Sequence, residues 1–183
     1  NHGTHCAGII GAKGNNGAGI SGVNQNIKLM GLKFLDADGS GVASGAVNAY
    51  HYINKALEVG VPIVAINNSW GGGEPSEIFE KLIELVGQKG AVSVFAAGNE
   101  SNDNDEYCDF PSGIDSPYKV SVAAVNEKNE LAGFSNYGKT TVDLAAPGAD
   151  ILSTVSGECY NPTIYDSAKQ KESSRHFNDF EGS

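Results

Sequence analysis

The residues best suited to chemistry open the chain. In Asn1-His2-Gly3-Thr4-His5-Cys6-Ala7-Gly8, two histidines stand among glycines, an alanine, a threonine and a cysteine. An imidazole titrates near neutral pH and can carry a proton from a nucleophile to a leaving group. Small neighbours let other backbone approach the helix that holds it. Of the four histidines, only His2 combines a helix start with this small-residue block, which makes it the candidate general base. His5, a turn further on, reads as a structural hydrogen-bonder, and a zinc site on His2 and His5 lacks a third ligand at sensible spacing. Far along the chain, Phe95-Ala96-Ala97-Gly98-Asn99-Glu100 puts a carboxamide behind a glycine. The NH₂ of Asn99 could donate to the oxygen that gains charge when a carbonyl is attacked. A base and an oxyanion donor suit amide hydrolysis; a nucleophile is still needed.

Together these two blocks resemble the His block and the oxyanion-Asn block of subtilisin-like serine proteases. The similarity runs from Asn1 to about Val155, with Ala132-Gly133-Phe134-Ser135-Asn136 and Thr141 to Gly148 as later landmarks in the right order. The resemblance implies a serine endopeptidase with a Ser-His-Asp mechanism, of which this chain carries the His and the oxyanion Asn. It also implies a three-layer α/β fold with a mostly parallel central sheet and helices on both faces. Neither the family's Asp block nor its Gly-Thr-Ser block occurs in the 183 residues. The chain is therefore read as a fragment that is inactive alone, with 1–155 a partial catalytic domain. The other reading is a catalytically inactive homologue that binds peptide or serves as a scaffold. Finding the two missing blocks in the flanking coding sequence would separate the two.

The same resemblance assigns the substrate contacts. Gly39-Ser40-Gly41 and Ser69-Trp70-Gly71 look like the two backbone edges that hold an extended peptide as an added strand, with Ala97 and Gly98 beside them. Trp70 stands where the family commonly has Leu and should narrow a side-chain pocket on its edge. Asp109 falls near the floor of the primary pocket, just before Phe110-Pro111, where many members have Gly; Glu100 falls at its rim. The kexin and furin branch likewise has an Asp in this loop, so cleavage after Arg or Lys is expected. The loop after the His helix gives oxygen ligands to calcium in the family. Here Lys13 to Ile20 is one residue longer than the commonest version, and Asn15 is the candidate ligand for a structural ion; catalysis needs no cofactor. Some members carry a cysteine where Cys6 stands, close under the catalytic His. Further expectations from the family are a protein or peptide substrate, a propeptide as partner, and secretion.

The elements that must position these groups can be read in order. A helix is expected over residues 3–12, ended by the polar turn Lys13-Gly14-Asn15-Asn16-Gly17. Gly17 to Gly22 matches the dinucleotide pattern GxGxxG in letters only, since it follows a helix and opens none. Ile27 to Leu35 alternates in part and predicts a strand; Ser40 to Glu58 predicts a helix, with Val47, Tyr50, Ile53 and Leu57 at helical spacing. His51 on that helix receives no role. Val61 to Asn67 and Ala91 to Ala96 are apolar runs suited to strands buried on both faces of a parallel sheet. Between them lies a helix capped by Ser76, with Ile78, Phe79, Leu82, Ile83 and Val86 on one face. Lys119 to Val125 is a further strand, and the family resemblance implies another at Asp150 to Val155, the one that leads towards the nucleophile. Alternating strands and helices predict right-handed βαβ units, which bring Ser69-Trp70-Gly71 and Ala97-Gly98-Asn99 to the carboxyl ends of strands, where such sheets bind ligands.

Composition bounds the rest. A net charge of −10 argues against a nucleic-acid or anionic-membrane surface, and no run approaches the length of a membrane span. Cys6, Cys108 and Cys159 have no metal spacing; Cys6 reads as a buried inert thiol, and Cys108 and Cys159 could pair in a secreted protein. Asn67-Asn68-Ser69 and Asn99-Glu100-Ser101 are formal glycosylation sequons, the second read as accidental because a glycan would abolish the Asn99 donor. From Ser156 the chain turns polar with little periodicity. Residues 156–183 are read as an insertion before the missing nucleophile block, the alternative being a divergent tail.

Overall fold

The computed structural model describes residues 2–155; the segment 156–183, including Cys159, lies outside the described residues. The chain forms two compact units, one of residues 2–40 with 150–155, the other Gly41–Ala149.

In the first unit, α1 spans His2–Gly11. Its small residues have a packing reason. A Cβ on Gly8 would lie 2.9 Å from the backbone nitrogen of Thr154, so only glycine lets residues 153–154 lie against the helix. Ser153 and Thr154 donate their hydroxyls to the carbonyls of His5 and Thr4. Neither 27–35 nor 150–155 forms the expected strand. A strand exists only with a ladder partner, and residues 150–155 spend their polar groups on α1 instead. Ile27, Leu29 and Met30 are all more than a third exposed.

The second unit is a parallel sheet with two helices. In order, α2 is Ala43–Glu58, β1 Ala65–Asn68, α3 Glu77–Gly87, β2 Val92–Ala96, β3 Lys119–Val125 and β4 Leu144–Pro147. The spatial order β1-β2-β3-β4 follows the chain, with Asn68 opposite Phe95, Ala96 opposite Val122 and Val125 opposite Pro147. Helix α2 starts three residues later than expected. The carboxylate of Asp36 accepts from the amides of Asp38 and Ser40, and the Ser40 carbonyl accepts from Asp36 N–H, so Ser40 closes a loop rather than opening a helix.

Helix α3 begins as its sequence predicts: Ser76 accepts from Phe79 N–H at 3.4 Å. Phe79, Leu82, Ile83 and Val86 are buried at i, i+3, i+4, i+7, which leaves Ile78 off the stripe and 61% exposed. Tyr50 of α2 bonds Ser93, and Phe79 of α3 packs on Phe95. Ser93 and Phe95 are two apart on β2, so both helices cover one face of the sheet. Strand β1 accordingly alternates exposed and buried rather than being buried on both faces within its unit. Glu58, at the end of α2, bonds Lys55, Lys89 and Asn54, and its carboxyl is lowered to about 2, by Lys55 first and Lys89 next. The Asp105 carboxylate accepts from the amides and hydroxyls of Thr140 and Thr141 and from Lys139 N–H, which fixes the turn before β4 and holds that carboxyl well below the usual range.

Candidate active site

His2 stands at the first turn of α1, half-buried, with Cys6 Sγ 3.8 Å from its Nε2. Burial, and then the charge of His5, lower its pKa below the ordinary value. The imidazole is thereby kept neutral near pH 7, the form a general base needs. His5 places Nε2 at 3.1 Å from the Ile151 carbonyl, which can only accept, so Nε2 carries the proton. That bond ties α1 to residues 150–155 of the same unit.

In the second unit, β2 ends at Ala96 and the chain turns through Ala97-Gly98-Asn99. Gly98 has φ +118°, and a Cβ there would come within 2.9 Å of Asn136 Cγ. Glycine is therefore demanded twice, by backbone conformation and by the approach of Asn136. Asn136 is buried to 1% exposure and its amide is fully used. Its Oδ1 accepts from the backbone N–H of Glu100 at 2.8 Å and of Asn102 at 3.1 Å. Its Nδ2 donates to the Ala97 carbonyl at 3.2 Å and to Glu100 Oε2 at 2.8 Å. Glu100 Oε2 also accepts from Asn99 N–H at 2.8 Å. Asn104 Nδ2 adds a bond of 2.7 Å to the same Ala97 carbonyl. The turn backbone is thus pinned on its inner side, while the Asn99 side chain itself is exposed.

Below this turn lies a cavity of about 340 Å³ lined by Glu100, Asn102, Tyr107, Cys108, Asp109 and Asn136. Asp109 is partly buried, and its carboxyl is raised by that burial first and by the nearby Glu100 charge second. Two carboxylates facing one cavity, one of them poorly solvated, favour a cationic occupant. The end of β1 adjoins this loop: Gly72 N–H donates to the Phe110 carbonyl at 2.9 Å, and a Cβ on Gly71 would sit 3.3 Å from Asp109 Oδ2.

A family model described as the subtilase family matches residues 1–180. The chain belongs to the subtilase family. The thermophilic serine proteinase of Bacillus sp. (strain AK1) is 39% identical over 161 residues, 87% of this chain and 37% of that protein. Subtilisin-like protease 2 of Plasmodium falciparum is 37% identical over 163 residues, 87% of this chain but 12% of its own length. The chain thus spans well under two thirds of these curated relatives. Among solved structures, a cold adapted subtilisin-like serine proteinase matches with TM-score 0.68 and 30% identity over 83% of this chain and 50% of its own. The S41 psychrophilic protease matches with TM-score 0.72 and 29% identity over 84% and 54%. The fold is the subtilisin-like α/β fold, and the family's activity is serine proteolysis.

The subtilase residues expected from sequence fall in both units. His2, Asn15, Gly39 and Ser40 belong to the first; Gly41, Ser69, Trp70, Gly71, Ala97, Gly98, Asn99, Glu100 and Asp109 belong to the second. Glu100 and Asp109 line one cavity, Gly71 adjoins Asp109, and Ser69 and Ala97 follow adjacent parallel strands. Asn15 is exposed with φ 59°. Residues 13–20 contain no carboxylate, and no group of three His, Cys, Asp or Glu among the described residues could hold a metal. The oxygens this loop could offer a calcium ion are therefore its backbone carbonyls and the amides of Asn15 and Asn16. Cys108 is an exposed thiol. No helix among the described residues is long and apolar enough to cross a membrane. Sequence reasoning missed Asn136: it lies inside a recognised landmark, but nothing in the letters marks it as the residue that pins the Asn99 turn.

Proposed function

We propose that the chain is the His- and Asn-bearing part of a serine endopeptidase that cleaves extended peptides after Arg or Lys. His2 is the general base, Asn99 the oxyanion donor, and Ser69-Trp70-Gly71 with Gly39-Ser40-Gly41 the edges that pair with substrate backbone. A serine and an aspartate supplied from outside the 183 residues complete the triad, so the chain alone hydrolyses nothing. Secretion and a propeptide fit this reading.

The observation that carries the peptidase reading is the Asn99 turn. Its backbone is held by Asn136 and Glu100, so the segment that carries the exposed carboxamide is already ordered before the reaction. In the mechanism, His2 takes the nucleophile's proton as it attacks the carbonyl. Asn99 donates to the resulting oxyanion, and His2 then returns the proton to the leaving amine.

The basic preference rests on Asp109. An Arg guanidinium entering the cavity would pair with a carboxylate that burial and Glu100 have raised, whereas an apolar side chain would leave that charge desolvated. In the full-length enzyme, Asp109→Gly should lower kcat/KM for Arg substrates by roughly 10- to 100-fold, the worth of one charge-assisted bond. The preference in the unaltered enzyme should also fade as pH falls through the raised Asp109 pKa, because the neutral carboxyl no longer attracts a cation. Profiling on a peptide library checks both; preference for Phe or Leu, untouched by Asp109→Gly, would refute the assignment.

A further inference from the structure

Asn68 is the last residue of β1 and 3% exposed. A buried amide is costly unless fully bonded. Here it is, and its bonds admit a single orientation. Trp70 Nε1 lies 3.2 Å from Asn68 Oδ1. An indole N–H can only donate, so the oxygen must face Trp70. The NH₂ then points inward, donating to Tyr50 Oη at 2.8 Å and to the Ile66 carbonyl at 3.1 Å. Having accepted from Asn68, Tyr50 Oη donates its own O–H to Ser93 Oγ at 3.0 Å. Tyr50 is 2% exposed and Ser93 fully buried, and burial pushes the Tyr50 hydroxyl up to about 12, so it stays a donor across working pH. The relay runs one way, from the substrate edge to the centre of the sheet.

Its outer end is the indole. Trp70 packs edge-on against Phe79 and Phe95, with ring centres 5.5 and 6.5 Å away. Ring contacts alone restrain a half-buried indole loosely; a hydrogen bond at its one polar atom fixes its rotation. The geometry points to Asn68 as a positioning residue: by holding the Trp70 indole, it sets the shape of the wall that the Ser69–Gly71 edge offers to a substrate side chain. This inference rests on the reading of that edge as a substrate edge. A fixed aromatic wall discriminates by size, and a freely turning one accommodates. Asn68 therefore enforces selectivity for small over bulky side chains at the contacting substrate position.

The test uses the full-length enzyme and two readouts. Exchange of the Trp70 indole N–H with solvent is followed by NMR, its signal identified by its loss in Trp70→Phe. The second readout is the ratio of kcat/KM for peptides with small and bulky side chains. Asn68→Leu should speed the exchange at least tenfold and reduce the selectivity ratio roughly three- to tenfold, the worth of one neutral hydrogen bond. Should Asn68→Leu not fold, Tyr50→Phe keeps the ring packing but removes the hydroxyl, and should shift both readouts in the same direction. Unchanged exchange in the folded variants would overturn the positioning role. Faster exchange with an unchanged ratio would overturn the selectivity role by removing Trp70 from the substrate edge. Failure of the unaltered enzyme to cleave any peptide would instead refute the peptidase reading, whatever the indole does.

Discussion

Replacing Asn99 with Ala in the full-length enzyme should lower kcat by about 10²–10³ and leave KM nearly unchanged, the usual cost of removing one oxyanion donor. The reason lies in when the bond is made. In the ground state the carbonyl oxygen is neutral, and the Asn99 carboxamide is exposed on a turn held by other groups. Its NH₂ becomes valuable only as the oxygen takes on charge, so the loss falls on the transition state. The turn should keep its shape without the side chain, because what pins it is the backbone N–H of Asn99 and Glu100 together with Asn136. Steady-state kinetics on one peptide substrate checks this. A large rise in KM with kcat preserved would mean that Asn99 binds substrate instead.

Asn136→Ala should act on both stability and rate. The substitution removes two acceptor bonds, to Glu100 N–H and Asn102 N–H, and two donor bonds, to the Ala97 carbonyl and Glu100 Oε2. A buried, fully used amide of this kind is worth roughly 2–4 kcal/mol of folding stability, since partners are left partly unsatisfied. The Asn99 turn also loses its inner support, so kcat should fall by roughly 10- to 100-fold at temperatures where the variant is folded. A purely structural residue would lower Tm alone. Asn136→Asp supplies a sharper comparison. It keeps the acceptors but sets a second carboxylate where Nδ2 now lies 2.8 Å from Glu100 Oε2. Like charges that close cannot both ionise comfortably, so the pair binds a proton more readily in the folded state than in the unfolded one. Stability lost by Asn136→Asp at alkaline pH should therefore return as pH falls through the raised carboxyl pKa. Melting curves across pH read this directly.

What the sequence made legible was whatever is written in periodicity or local chemistry. Strand β3 occupies the expected residues 119–125, and Ser76 caps α3 as its position before the apolar stripe suggested. The βαβ alternation correctly sent Ser69 and Ala97 to neighbouring strand ends. The strand at 27–35 failed because alternation reports a face to bury, whereas a strand also needs a ladder partner. The strand at 150–155, which the family resemblance implied, is absent because Ser153 and Thr154 bond α1 instead. The small residues of α1 were noticed for their size, yet what Gly8 accommodates, residues 153–154 from the far end of the chain, could be seen only in three dimensions. Asn68 and Asn136 were invisible for a related reason. An asparagine in a strand or loop reads as a turn-former or a surface residue, and only the contacts show an amide with every hydrogen-bonding atom engaged.

The central claim, a serine peptidase whose base is His2, is tested most directly by fluorophosphonate labelling of the full-length protein, with the adduct mapped by mass spectrometry. A single serine in a Gly-Thr-Ser block should be labelled in the unaltered protein. His2→Ala should slow that labelling by roughly 10⁴-fold or more, since the nucleophile then keeps its proton. No labelled serine in the unaltered protein, or labelling that proceeds equally fast after His2→Ala, would contradict the account and leave the inactive peptide-binding homologue as the reading to pursue.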